Sequence, residues 1–195
     1  MSVSEDTSFP RLVSLACHDL RTPLATISGF AKTLTRVEGV DDKIARYLGL
    51  MEAAAEQLAE LLEELNLAAR IAGARYDPAP RDVDTLALAH AAAGRVEGAE
   101  AAGVGSTVSL DVEAVERSLA AFADCLRRHG PAPAVRIEAD GAEWRLTPVT
   151  ASSAPVVLGD DLRDFGAAVG RMCVEALGGG VSVAGDTFVV RLQPA

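Results

Sequence analysis

Two long segments near the start of this chain carry apolar residues spaced alternately four and three apart, a pattern that commits both to pairing as helices. In the first, Val13, Cys17, Leu20, Leu24, Ile27, Ala31 and Leu34 keep the alternation unbroken. In the second, Ile44, Leu48, Met51, Ala55, Leu58, Leu62, Leu65, Ala69 and Ala72 do the same. Such spacing puts every member on one stripe of an α-helix. Tyr47, Leu50, Ala54, Leu61 and Ala68 widen the second stripe. The short polar connection Glu38-Gly39-Val40-Asp41-Asp42 then predicts an antiparallel hairpin. One hairpin cannot cover so wide a face. Two copies pairing into a four-helix bundle would bury it, which predicts a homodimer; the alternative cover is the C-terminal half of the same chain.

Within the first helix the run His18-Asp19-Leu20-Arg21-Thr22-Pro23-Leu24 departs from simple packing. His18 is one helical step of about 100° from the seam residue Cys17, which turns its ring toward the rim. Its neighbours one turn away, Ser14 and Thr22, are small enough to leave the ring accessible. Pro23 has no amide hydrogen and crowds the carbonyl of Asp19, so the helix is expected to bend or loosen beside the histidine. The Asp19 carboxylate can accept an imidazole proton and leave the other ring nitrogen with the lone pair needed to attack phosphorus. An imidazole in this setting is suited to carrying a phosphoryl group.

The stretch from Arg11 to Leu34 resembles the phosphoacceptor helix, or H-box, of the dimerisation and histidine-phosphotransfer domain of two-component sensor histidine kinases. Arg70-Ile71-Ala72-Gly73-Ala74-Arg75 resembles the segment that closes that family's second helix. The resemblance implies that His18 carries the phosphoryl group and that Asp19 assists as a base. It also implies that Thr22 orients a water when a response regulator is dephosphorylated, with Arg21 and Pro23 in supporting positions. It covers residues 1–77, leaving residues 78–84 as a linker and residues 85–195 as a second domain.

That boundary is marked by Asp77-Pro78-Ala79-Pro80-Arg81-Asp82, where two prolines interrupt the helical period. Beyond it the pattern predicts a helix from Val83 to Ala101, a short strand from Thr107 to Leu110, and a helix from Asp111 to Arg128 capped by Asp111. Strands follow at Ala134 to Ala139 and Glu143 to Val149 across the turn Asp140-Gly141. A helix after Asp161 is expected to end at Gly178-Gly179-Gly180, before two strands, Val181 to Ala184 and Thr187 to Leu192. The fold class is therefore α+β: a helical hairpin forming a dimeric four-helix bundle, then a small sandwich with helices on one face of a mostly antiparallel sheet.

The tail Val174-Glu175-Ala176-Leu177-Gly178-Gly179 and the closing Phe188-Val189-Val190-Arg191-Leu192 resemble the end of the kinase ATP-binding domain. The likeness fails where nucleotide chemistry belongs. The helix matching the magnesium-binding asparagine motif reads Ser118-Leu119-Ala120-Ala121-Phe122-Ala123-Asp124-Cys125-Leu126, and the sole asparagine of the chain is Asn66 in the hairpin. Thr150-Ala151-Ser152-Ser153-Ala154 stands where an adenine-binding aspartate and its glycines would be. A metal-triphosphate needs oxygen ligands and closely approaching glycine backbone. Gly103-Val104-Gly105 and the Gly178 to Gly180 run read as turns, and His90 and His129 as isolated residues.

Charge and composition exclude further classes. A net charge of -10 argues against binding nucleic acid through its phosphates. No apolar run reaches the roughly 18–20 residues needed to span a bilayer, so a cytoplasmic protein without membrane contact is expected. Cys17, Cys125 and Cys173 are odd in number and widely separated, which indicates neither a disulfide framework nor a zinc site. The few residues ahead of the first helix leave no room for a sensor domain, so a signal is expected to arrive through a partner.

These features together predict a histidine phosphotransfer protein of a phosphorelay. It would exchange phosphate with response-regulator receiver domains through His18, possess no ATP or metal of its own, and rely on Mg2+ held by the regulator. An upstream hybrid kinase is a further expected partner. The alternatives are a divergent kinase core with autokinase or regulator phosphatase activity, and a non-catalytic pseudokinase scaffold.

Overall fold

The computed structural model describes residues 8–36, 41–131 and 134–192. Side chains at positions 8, 9, 11, 12, 15, 16 and 19 lie outside that description, as do Glu38, Gly39 and Val40 of the expected hairpin connection. The chain divides into two compact units, Met1–Arg75 and Tyr76–Ala195.

The first unit is the expected antiparallel hairpin of α1 (Ser8–Thr35) and α2 (Asp42–Ala72). α2 starts where the Asp41 carboxylate accepts the Lys43 amide at 2.8 Å, satisfying one of the donors a helix start leaves open. It ends at Gly73, whose amide donates to the Ala69 carbonyl at 3.0 Å. α1 runs through Pro23 without interruption. Proline removes the amide that would have paired with the Asp19 carbonyl, yet the helix continues on both sides. Small residues dominate the buried positions between the helices: Cys17 and Ala31 on α1, Ala55 and Ala69 on α2, together with Leu48. Lys32 bridges the pair by reaching Glu56 at 3.0 Å and Glu52 at 3.7 Å.

Most of the apolar stripe remains uncovered within one chain. Phe30 is 67% exposed, Leu50 59% and Leu58 53%, and Leu20, Ile27, Ile44 and Met51 are exposed as well. Apart from Leu48, the buried seam positions are small residues, and the exposed seam positions are mostly large apolar ones.

The second unit is built on a five-stranded sheet of order β2-β4-β5-β7-β6. Its strands are β2 (Ala99–Gly105), β4 (Val135–Gly141), β5 (Glu143–Thr147), β6 (Gly180–Ala184) and β7 (Thr187–Arg191). β2 and β4 run parallel and the other pairs antiparallel. A separate antiparallel ribbon joins β1 (Pro80–Asp84) to β3 (Thr107–Asp111). Along β4, Val135, Ile137 and Ala139 are buried and alternate with exposed residues, the period of a half-buried strand. They form one core with Trp144, Leu146, Phe188 and Val190 from the sheet. Helices α3 (Thr85–Gly94), α4 (Val112–His129) and α6 (Phe165–Ala176) supply the opposing residues, including Leu88, Leu119, Phe122 and Val174. A single turn of helix, α5 (Ala154–Val157), adds Val156 and Val157.

Two contacts fix the sheet against its helices. Phe122 of α4 meets Phe188 of β7 edge-on with ring centroids 4.9 Å apart. Trp144, fully buried, donates its indole N–H to the Thr85 carbonyl at 3.0 Å, so its polar atom is satisfied while the ring packs. Burial of a side chain this large stabilises by about 2–3 kcal/mol.

Three expectations need correction. The single helix from Val83 to Ala101 is instead the end of β1, α3 and the start of β2. The break at its front is Asp84, whose carboxylate accepts the Ala87 amide at 2.9 Å and starts the helix late. At the back, Gly98 takes a positive φ of 76° and turns the chain into β2. Residues 78–84 are not simply a linker, since Pro80 to Asp84 pair with β3. Gly103 and Gly105 are not a turn but the end of β2, paired with Ala139 and Gly141. Their size matters: a Cβ on Gly103 would lie 2.0 Å from the Ala139 carbonyl oxygen. The Asp111 cap stands as expected, accepting the Ala114 amide at 3.1 Å.

Candidate functional site

His18 is exposed on α1 next to Cys17, which is 1% exposed. The helical rotation thus assigns consecutive residues to packing and to solvent. Arg21, Thr22 and Pro23 are exposed on the same stretch, with Arg21 and Thr22 three and four residues on, where helical neighbours meet. The Asp19 backbone lies in α1, but its side chain falls outside the described residues. Just past Pro23, the Thr26 hydroxyl donates to the Thr22 carbonyl at 3.0 Å.

A further group near this stretch was not singled out by the sequence. Arg75, beyond the end of α2, donates through Nη2 to the Pro10 carbonyl at 3.1 Å and to Ser14 Oγ at 3.2 Å. Ser14 lies one turn before His18, so Arg75 fixes the open end of the hairpin beside the candidate phosphoacceptor. Nothing in local spacing announces a contact across so many residues.

In the second unit, the positions matched to nucleotide binding engage one another. Asp124 of α4 pairs with Arg127 at 2.9 Å and Arg128 at 2.7 Å. The Thr150 amide donates to Ser153 Oγ at 3.0 Å, and Ser152 Oγ donates to the His129 carbonyl at 2.7 Å. These hydroxyls and the Asp124 carboxylate are held by groups of their own chain.

His129 is not isolated, contrary to the expectation from sequence. Its Nε2 lies 3.2 Å from Asp164 Oδ2, and Arg128 Nη2 reaches the same oxygen at 3.1 Å. Asp164 Oδ1 caps α6 by accepting the Ala167 amide at 3.0 Å. Cys125, one turn before His129, completes the group, and its thiol is pushed up to about 12 by burial and then by the Asp164 charge. The spacing of Cys125 and His129 was visible in the sequence, but Asp164 arrives from a different helix. Burial likewise raises the Cys173 thiol, and it raises the Tyr76 phenol, which donates to Asp111 at 2.9 Å. His90 is exposed on α3.

No described helix is long and apolar enough to cross a membrane.

Residues 11–73 match the family described as the His Kinase A (phospho-acceptor) domain. Over 86 residues the chain is 30% identical to the probable sensor histidine kinase TcrY of Mycobacterium tuberculosis, a match covering 44% of this chain and 18% of that protein. Full-length ShkA, solved in complex with AMPPNP, superposes with a TM-score of 0.68 at 20% identity, covering 95% of this chain and 47% of that one. The Acinetobacter baumannii histidine kinase AdeS superposes with a TM-score of 0.58 at 20% identity, covering 91% of this chain and 98% of that one. The chain thus spans less than half of TcrY and of ShkA. At these identities the superpositions establish fold, and the match over the hairpin establishes the nature of the first unit. Residues 11–73 thus match a His Kinase A phospho-acceptor domain, and the chain as a whole shares the fold of ShkA and of the histidine kinase AdeS.

Proposed function

We propose that this protein is a histidine phosphotransferase, exchanging a phosphoryl group with response-regulator aspartates through His18 without using ATP. The observation that carries the reading is His18 itself, exposed on α1 within the segment that matches the phospho-acceptor domain. In the forward step an imidazole nitrogen attacks the phosphorus of an aspartyl phosphate. The new P–N bond forms as the P–O bond breaks, the aspartate leaves as carboxylate, and the imidazole proton passes toward Asp19. Transfer to a second regulator reverses these changes. Both phosphoryl linkages are reactive, so catalysis is mostly alignment of donor and acceptor. Metal for the reaction belongs to the regulator's own site.

The residues of the second unit do not fit a magnesium-nucleotide. Asp124, on the helix matched to the asparagine motif, is neutralised by Arg127 and Arg128, and the Thr150 to Ser153 segment uses its hydroxyls on itself and on the His129 carbonyl. Glycine backbone of the kind that approaches phosphates is absent from that segment. This supports an ATP-independent role.

The uncovered apolar face of both helices supports a homodimer, since a contiguous patch of this kind is rarely left in water. Regulators of receiver-domain type and an upstream hybrid kinase are the partners this reading requires.

The test is a two-arm labelling experiment on the purified full chain. Incubation with phosphorylated receiver domains should place acid-labile label on His18, and incubation with magnesium-ATP alone should place none. Label acquired from ATP alone would make the protein an autokinase and overturn the reading.

A further inference from the structure

We propose that Cys125, His129 and Asp164 form a zinc site where the C-terminal end of α4 meets the start of α6. Among the described residues these three side chains are the group able to hold a metal ion, and their ligand atoms all lie within 4.8 Å of one another. Cys125 and His129 are four residues apart on one helix, which directs both to the same side. Asp164 comes from the cap of α6.

The distances agree with tetrahedral coordination. His129 Nε2 and Asp164 Oδ2 are separated by 3.2 Å, close to the roughly 3.3 Å between nitrogen and oxygen ligands that each lie about 2.0 Å from a tetrahedral ion. Cys125 Sγ lies within 4.8 Å of both of these ligand atoms. Thiolate, imidazole and carboxylate together favour zinc over magnesium or calcium, which prefer all-oxygen sets.

The surroundings hold the ligands in place. Asp164 is 3% exposed, its Oδ1 is fixed by the Ala167 amide, and Arg128 steadies Oδ2 from the other side. Such outer contacts orient the ligands of known metal sites. With the Nδ1–H tautomer, His129 presents its Nε2 lone pair to the ion in place of the present hydrogen bond to Asp164. On binding, the Cys125 thiol loses its proton to solvent. Thiolate and carboxylate then balance the two positive charges of the ion, and water takes the fourth position.

The site lies on the helix that corresponds to the magnesium-binding motif, but its ligands are of a different kind. Its consequence is structural: an ion bridging α4 and α6 would tie together the two helices that carry Phe122 and Val174 into the core.

The experiment is Co2+ substitution in the reduced full-length protein, followed by displacement with Zn2+. The expected result is one equivalent of Co2+ with a thiolate-to-cobalt charge-transfer band, bleached by Zn2+. The band should disappear in Cys125→Ser, and affinity should fall about 100-fold or more in His129→Gln. It should persist in Cys17→Ser, Cys173→Ser and His18→Ala. No band in the unaltered protein, or a band retained in Cys125→Ser, would overturn the site. Circular dichroism reports whether Cys125→Ser folds; if it does not, His129→Gln decides, because its ring is only partly buried, and unchanged affinity there overturns the site equally.

Discussion

Cys17 and His18 are consecutive residues on α1 with opposite fates: the thiol is closed into the hairpin and the imidazole is open to solvent. A substitution at the second position therefore removes chemistry without disturbing packing. His18→Ala should abolish labelling by phosphorylated receiver domains while leaving the circular dichroism spectrum and melting temperature unchanged. Undiminished label on His18→Ala, or label mapping to His90 or His129, would place the phosphoacceptor elsewhere.

The neighbours of His18 should separate kinetically. Asp19→Asn retains shape but removes the charge that favours the reactive tautomer, so transfer should slow by about 10²–10⁴-fold, the usual contribution of a general base. Thr22→Ala should leave transfer intact and weaken any dephosphorylation of the regulator. Rapid-quench transfer rates and a regulator-phosphate decay assay distinguish the two. Equal rates for Asp19→Asn and the unaltered chain would remove Asp19 from the mechanism.

How much of this was legible in sequence depended on whether the signal was local. The stripes of α1 and α2 were readable because a helical period repeats many times over, and the Asp111 cap because a capping residue acts on the next turn. β2 was not, because Ala99-Glu100-Ala101-Ala102-Gly103 has the composition of a helix and becomes a strand only by pairing with β4. The zinc ligands escaped for a related reason. Cys125 and His129 were visible four residues apart, but Asp164 reaches them only through the packing of α6 on α4. Arg75 meeting Ser14 is of the same kind, a contact that exists only once the hairpin has closed.

Leu58 is 53% exposed in the single chain, at the centre of the α2 stripe. In a dimeric bundle Leu58→Glu would bury an unpaired carboxylate at a cost of about 3 kcal/mol or more. Sedimentation velocity should show a dimer for the unaltered protein at micromolar concentration and a monomer or unfolded chain for the variant. A folded monomer in the unaltered protein would end the four-helix assignment.

Glu143 offers a test of pH-dependent stability. Its carboxyl is affected most by burial, which acts upward, but hydrogen bonds and charges from Arg191 and Arg145 outweigh this and hold it below its ordinary value. Arg191 lies directly across the β5–β7 pair, so the interaction ties two central strands. A lowered folded-state value means the contribution is present above the unfolded carboxylate pKa of about 4.3 and is lost as pH falls through the folded value. Urea denaturation should find Glu143→Gln less stable than the unaltered chain near neutrality, with the difference shrinking below about pH 4. A difference that stayed constant down to the lowest accessible pH would show that the charge is not involved.

Gly103 and Gly141 both take positive φ, 107° and 63°, but only one is crowded. A Cβ on Gly103 would lie 2.0 Å from the Ala139 carbonyl oxygen, whereas one on Gly141 would meet nothing within 4 Å. Backbone strain is common to both substitutions and costs about 1–2 kcal/mol in the left-handed region. Gly103→Ala must in addition push β2 away from β4, at a further cost of about 1–3 kcal/mol. Denaturant midpoints should therefore fall for both variants and markedly further for Gly103→Ala, whose parallel β2–β4 edge should also lose amide-exchange protection. Equal destabilisation would mean that conformational strain alone governs both sites and that the close approach of β2 to Ala139 contributes nothing.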